Sequence, residues 1–187
     1  MSLSPVKQEI LENMLLIDKP VKAAEIAQSV QKDLPQVRGH LLGLTKNGYI
    51  NLPEKGQYAI TEKGKQALGL PVITKEKAEA ILSYSPHDKA FNFYADVGKP
   101  LNLHAHNIRD FAKKIEKAEV VSVEFHTKRG DFEAWFKTLG DEELAMKVAL
   151  LKKKNVSVEE LRKQLAQVAM QRYVALSKLA GQPAYTD

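Results

Sequence analysis

Apolar positions in the first seventy residues fall into short stretches that alternate between helical and strand-like spacing. Val6, Ile10, Leu11 and Leu15 recur every three or four residues and predict an opening helix. From Val21 to Val30, Ala23, Ala24, Ile26 and Ala27 give a face of small residues that a second helix can cross closely. After a polar break at Gln31 to Asp33, Val37, Leu41 and Leu44 supply the matching stripe. Pro35 suits the first turn of that second helix, where its missing N–H costs nothing, and Asn47-Gly48 ends it. Tyr49, Ile50 and Leu52, then Tyr58, Ala59 and Ile60, flank Glu54-Lys55-Gly56-Gln57, which predicts two brief strands and a glycine-containing turn. Thr61 is placed to cap a last helix running to Leu68.

Leu70-Pro71-Val72 interrupts the pattern and predicts a boundary, with residues 1–70 as one domain, 71–84 as a linker helix opened by Thr74, and 85–187 as a helical accessory or dimerisation domain. Ala90 to Tyr94 reads as a short strand, followed by a loop containing Gly98, Pro100 and Asn102. Asn107 caps a helix whose Ile108, Phe111, Ala112 and Ile115 share one side. Residues Val120 to Thr127 read two ways: the valines favour a strand, while Val121 and Phe125 are spaced for a helix. Asp131 is a natural N-cap for Phe132 to Leu139, Gly140-Asp141 is a second stop and cap, and Ser157-x-x-Glu160 is a capping box that starts a helix of about six turns ending at Ala180. The fold class is α+β and mostly helical.

The Ala24-Glu-Ile-Ala27 helix, the Val37 to Gly48 pattern and Tyr58-Ala-Ile-Thr-Glu-Lys-Gly64 resemble a winged-helix DNA-binding domain of the MarR or ArsR type. The resemblance covers about a third of the chain, and it implies that the second helix reads DNA while the hairpin serves as the wing. Phe125-His-Thr-Lys-Arg-Gly-Asp-Phe-Glu-Ala-Trp135 and Leu139 to Ala145, with Phe91 to Tyr94 and Ile108 to Phe111, resemble a domain of unknown function seen mainly in archaeal proteins, sometimes behind a winged helix. That second resemblance spans roughly residues 85 to 175 and implies a mostly helical accessory domain with no catalytic assignment.

Composition narrows the alternatives. No run approaches the ~18 apolar residues of a membrane span, and the N-terminus lacks a signal pattern, so a cytoplasmic protein without a membrane partner is expected. The absence of cysteine removes disulfides, thiolate metal sites and thiol redox sensing. A formal charge of +5 divides as 9 basic against 7 acidic residues up to Leu70 and 19 against 16 beyond it, so charge is spread evenly. It is compatible with a polyanion without demanding one. Lys22, Lys32, Arg38, Lys46 and Lys55 would make a local basic surface around the second helix and the turn, or an ordinary solvated face.

Under the winged-helix expectation, the DNA-binding residues are Gln36, Arg38, Gly39, His40 and Lys46, with Lys55 and Gln57 on the wing. Gly39 and Gly43 each cost about 1 kcal/mol of helix propensity against alanine, which a close approach of backbone or simple loose packing would explain. His87, His104, His106 and His126 with Asp88, Asp131 and Asp141 offer imidazole and carboxylate groups, but at spacings that diagnose no metal site. His126 with Asp131 is the best candidate polar cluster, and Trp135 is assigned to the core. No cofactor, metal or catalytic motif is expected. In the last helix Val158, Leu161, Leu165, Val168, Ala175 and Leu179 follow a heptad seam interrupted only by Arg172, so Leu165, Val168 and Arg172 are candidates for a dimer interface, with burial in their own domain as the alternative. The expected function is a transcriptional regulator, non-enzymatic, binding double-stranded DNA as a homodimer, its C-terminal domain dimerising or sensing a signal through a small effector or protein partner. The alternative is an adaptor whose winged helix binds another protein. An enzyme or metal protein built on His126 and Asp131 is the third reading.

Overall fold

Helix α1, Pro5–Ile17, turns Ile10, Leu11, Met14 and Leu15 inward, as the spacing predicts. Val21–Lys22 form a short strand, β1, that the sequence pattern did not anticipate, and helix α2 runs over Ala23–Ser29. Buried, β-branched Val21 fits the pleat of a sheet better than a helix start. Helix α3, Leu34–Lys46, is capped by Asp33, whose carboxylate accepts the Gln36 N–H at 2.8 Å, and buries Val37, Leu41 and Leu44. Strands β2 (Ile50–Glu54) and β3 (Gln57–Ile60) form the predicted hairpin. Strand β1 adds to it antiparallel, pairing Val21 with Tyr58, to give the order β1-β3-β2. This is the computed structural model of the chain, which describes residues 3–185 and divides it into two compact units, Met1–Val72 and Ile73–Asp187.

One threonine ties the hairpin to helix α4, Glu62–Ala67. The Thr61 N–H donates to the Tyr49 carbonyl at 3.0 Å, its hydroxyl lies 2.7 Å from the Gly48 carbonyl, and the same hydroxyl accepts the Gly64 N–H at 3.1 Å. A Cβ on Gly64 would overlap the Tyr49 carbonyl oxygen and crowd the Ile60 side chain. The Thr-Glu-Lys-Gly spelling is therefore a packing requirement at this corner.

In the second unit the residues expected to link two domains, 71–84, instead contribute helix α5, Lys75–Leu82, to the unit's own core. Its Ala78 and Ile81 are fully buried. Strands β4 (Phe91–Asp96) and β5 (Lys99–Ala105) make an antiparallel hairpin, so the loop expected around Gly98, Pro100 and Asn102 is mostly strand. Its low apolar content hid it. Asn102 reaches positive φ within it, and the pairing register shifts twice between Asn92 and Asp96. Helix α6, Ile108–Lys117, follows the Asn107 cap. The ambiguous segment is helix α7, Val120–Arg129, with Val120 and Val121 exposed and Ser122, Val123 and His126 turned inward. Helices α8 (Asp131–Thr138), α9 (Glu142–Lys152) and α10 (Val158–Ala180) complete the unit, and α10 packs against α5, α6, α7 and α9. No helix among the described residues is long and apolar enough to cross a membrane.

The dimer-seam expectation is corrected here. Leu165, Val168 and Arg172 are buried inside their own unit, Arg172 to 4% exposure. The Arg172 Nε donates to both oxygens of fully buried Asp141, at 2.9 and 3.1 Å, and its Nη1 lies 2.8 Å from Glu143. Lys147 reaches Glu143 at 3.1 Å from the other side. The four charges cancel, so the arginine that broke the heptad pattern is the centre of a neutral buried network.

Arg172→Ala would leave Asp141 and Glu143 buried with lost partners, a change that costs about 3–5 kcal/mol in such settings. Denaturant unfolding of the full chain should show the transition of the second unit moving to markedly lower denaturant, with the first unit unaffected.

Candidate functional site

Helix α3 has two faces. Val37, Leu41 and Leu44 hold it in the core, which leaves Gln36, Arg38, Gly39, Leu42 and Lys46 exposed and His40 half-buried. The helix carries no acidic residue of its own. Lys55 is exposed in the β2–β3 turn, whereas Gln57 is half-buried and its amide donates to Glu54 at 2.7 Å, so Gln57 is engaged within the hairpin. Of the other basic residues, Lys22 is exposed and Lys32 pairs with Glu9 at 3.5 Å. A Cβ built on Gly39 meets nothing within 4 Å, while one on Gly43 would touch the Lys7 side chain. Close packing of a neighbouring helix therefore does not account for Gly39. Two large apolar side chains of these elements are exposed, Leu42 on α3 at 73% and Leu52 on β2 at 47%.

The second unit holds a cavity of about 380 Å³ between the β4–β5 hairpin and helices α7 and α8. Phe91, Tyr94, Phe125 and Trp135 line it, Val97 and Gly98 at the hairpin tip form its lip, and His126, Arg129 and Asp131 supply its polar edge. Trp135 is 8% exposed and donates its indole N–H to the Lys89 carbonyl at 3.0 Å, so it is core on one side and cavity wall on the other. Phe125, Arg129 and Phe91 carried no functional assignment from the sequence. The signal was the four-residue spacing of Phe125 and Arg129, which places them on one face only if the segment is a helix.

His126 and Asp131 do meet as a polar cluster at a helix start, but Asp131 does not serve as the N-cap it was also expected to be. Asp131 is the first residue of α8 and makes no capping bond. Its Oδ2 instead accepts from the His126 Nδ1 at 2.8 Å and from the Arg129 Nε at 3.0 Å. The Tyr94 backbone N–H donates to His126 Nε2 at 2.9 Å, which fixes the proton on Nδ1. Both ring nitrogens are thus occupied, and the imidazole has no free lone pair with which to act as a base. Burial holds the His126 pKa below its ordinary value, against the opposing pull of the Asp131 hydrogen bond and charge.

His87, His104 and His106 gather separately beside the hairpin, with ring centroids 4.8 Å apart for His87 and His104 and 6.1 Å apart for His87 and His106. Tyr84 stacks on His106 at 4.5 Å. One nitrogen of His104 is held by Asn92 and one of His106 by the Ser85 carbonyl. Among the described residues no group of three His, Cys, Asp or Glu side chains is arranged to hold a metal ion. Burial, followed by the nearby His87, His106 and Lys114, keeps the His104 pKa low as well.

Below about pH 6.5 the unfolded chain takes up protons at positions 126 and 104 that the folded unit resists. The stabilisation these neutral rings contribute is complete above that pH and is lost as pH falls toward their lowered folded values. Denaturant unfolding should therefore show a weaker second unit at roughly pH 5 than at roughly pH 7.5. His126→Asn should reduce that pH slope without abolishing it, because His104 still contributes.

Residues 66–170, more than half of the chain, match a family of unknown function, DUF5752. The matched stretch begins at the end of α4 and runs from α5 into α10. No curated protein and no solved structure matches the chain.

Proposed function

The chain belongs to the DUF5752 family, and we propose that it is a non-enzymatic transcriptional regulator that reads double-stranded DNA with helix α3 of its first unit. The observation that carries this reading is Gly39. An exposed glycine in mid-helix costs about 1 kcal/mol against alanine, and its own chain has room for the methyl group. The cost is accounted for if a phosphate backbone or base edge lies against that position. Arg38 beside it has the fork to bind guanine O6 and N7, Gln36 can pair with adenine, and the acid-free helix with Lys46 and Lys55 suits the phosphates. The order helix, strand, helix, helix, hairpin supports the winged-helix resemblance, with the hairpin as wing. The protein would act in the cytoplasm and address two half-sites as a homodimer, through a surface other than the buried seam of α10.

Selection of the purified chain on random duplex DNA, with salt titration, tests this directly. An enriched motif is expected, and Arg38→Ala should weaken binding to it by about 1–3 kcal/mol while relaxing preference at one base. No enrichment, or unchanged affinity and preference in the variant, would overturn the reading. Gly39→Ala should move affinity and stability in opposite directions, weakening DNA binding while stabilising the first unit by up to about 1 kcal/mol.

A second reading rests on Leu42 and Leu52, whose exposed side chains lie on the same helix and hairpin. An adaptor that docks α3 on a protein partner would use them as apolar anchors. Leu42→Asp would then abolish partner binding, whereas a DNA reader would lose affinity mainly through Arg38 and Lys46.

A further inference from the structure

We propose that the cavity between the β4–β5 hairpin and helices α7 and α8 binds a small, flat, largely apolar carboxylic acid, its ring system held among Phe91, Tyr94, Phe125 and Trp135 and its carboxylate on Arg129. This gives a ligand class to the signal sensing that the sequence offered as one expectation for the second unit; it rests on that expectation for its regulatory consequence but not for binding itself.

The volume, about 380 Å³, lies in the range of small-molecule sites, and the walls expose mainly apolar surface, with four aromatic rings among the lining side chains. Four rings favour a flat apolar occupant, which can stack or meet ring edges on several sides. The floor is prepared for one as well. His126 is neutral with both nitrogens engaged, so it offers neither charge nor an unmet hydrogen bond to a ligand.

Polar selectivity comes from Arg129. Its Nε is held by Asp131 and its guanidinium lies over the Phe125 ring, 5.1 Å from the centroid. Those two contacts fix the plane of the group and leave the forked end, with two nitrogens in the geometry that a carboxylate oxygen pair accepts. The side chain is 54% exposed, so the fork is accessible at the cavity edge. A cationic ligand is disfavoured because Arg129 already occupies the cation position over Phe125. A strongly hydroxylated ligand would leave its groups unmatched against four rings.

The chain contains a single tryptophan, so a ¹⁵N spectrum of the full chain shows one indole N–H, and that indole is a cavity wall. Titration with 2-naphthoate, 2-naphthamide and 2-naphthylmethylammonium uses it as the reporter. Expected is a saturable shift with 2-naphthoate, affinity at least about tenfold weaker for the amide, and no shift with the ammonium compound. Arg129→Gln should cut naphthoate affinity by about tenfold or more while leaving amide binding and the rest of the spectrum unchanged. No saturable shift with naphthoate, equal affinity for acid and amide, tighter binding of the cation, or an Arg129→Gln variant that binds naphthoate normally would each overturn the proposal. The titration contains no DNA, so its failure leaves the DNA selection standing, and a failed selection leaves the titration result intact.

Discussion

The second unit is organised around one buried guanidinium. Arg172 sits within α10, the helix against which α5, α6, α7 and α9 pack, and it is held by Asp141, the N-cap of α9, and by Glu143 in its first turn. Removing such charges from water costs several kcal/mol per ion, and the arrangement is tolerable because the network is neutral and closely bonded. Asp141 does double duty, since the Oδ1 that accepts from Arg172 also accepts the Leu144 N–H at 3.1 Å and so caps α9. The start of one helix and the middle of another are thereby set against each other at a single carboxylate. A purely apolar seam would allow α9 to slide or turn along α10; a charged hydrogen bond shared by both oxygens of a capping residue does not.

The cavity is bounded by other elements, the β4–β5 hairpin with α7 and α8. Helix α8 carries Phe132, Trp135 and Phe136 into an aromatic core shared with Phe91, Phe93 and Phe111. Packing this many rings fixes α8 and β4, and the hairpin tip then overhangs a space that no side chain fills. His126 joins the two halves, accepting from the Tyr94 backbone in β4 and donating to Asp131 in α8. The register shift beside Tyr94 has a reason in this setting, since a bulged strand can turn a backbone N–H away from its ladder. The pair resembles a catalytic dyad in its spacing alone. A histidine whose second nitrogen is spent on a backbone donor organises a wall instead of moving protons.

In the first unit the same distinction separates structure from function. Gly64 is required by the chain's own atoms, because any side chain there meets the Tyr49 carbonyl. Gly39 is not, because space lies open around it. Both are glycines inside helices, and only the neighbourhood tells them apart. That difference makes the exposed face of α3 more informative than its basic residues, which many solvated helices carry.

Much of the secondary structure was legible before any coordinates. Capping residues Thr61, Thr74, Asn107, Asp141 and Ser157 all accept the backbone N–H three residues on, because a cap is a contact between residues three apart and needs no distant partner, although the Glu160 carboxylate of the expected capping box turns instead to Gln164. The hairpin at Gly56 and the spacing of Val37, Leu41 and Leu44 were visible for the same reason. What the sequence left open or missed depended on residues far away along the chain. Val21 and Lys22 are strand because Tyr58 and Gln57 lie opposite them, and Val120 to Thr127 are helix because Val123 and His126 find a core, which outweighs valine's preference for strand. Asp131 left its expected cap for His126 and Arg129. Leu165, Val168 and Arg172 carried a heptad pattern that a partner chain or a neighbouring helix satisfies equally well, and only the position of Asp141 decided for the latter. The cavity is the extreme case. A space among Phe91, Phe125 and Trp135 has no sequence signature, because it is made by what three separate elements leave unfilled once local rules have built each of them.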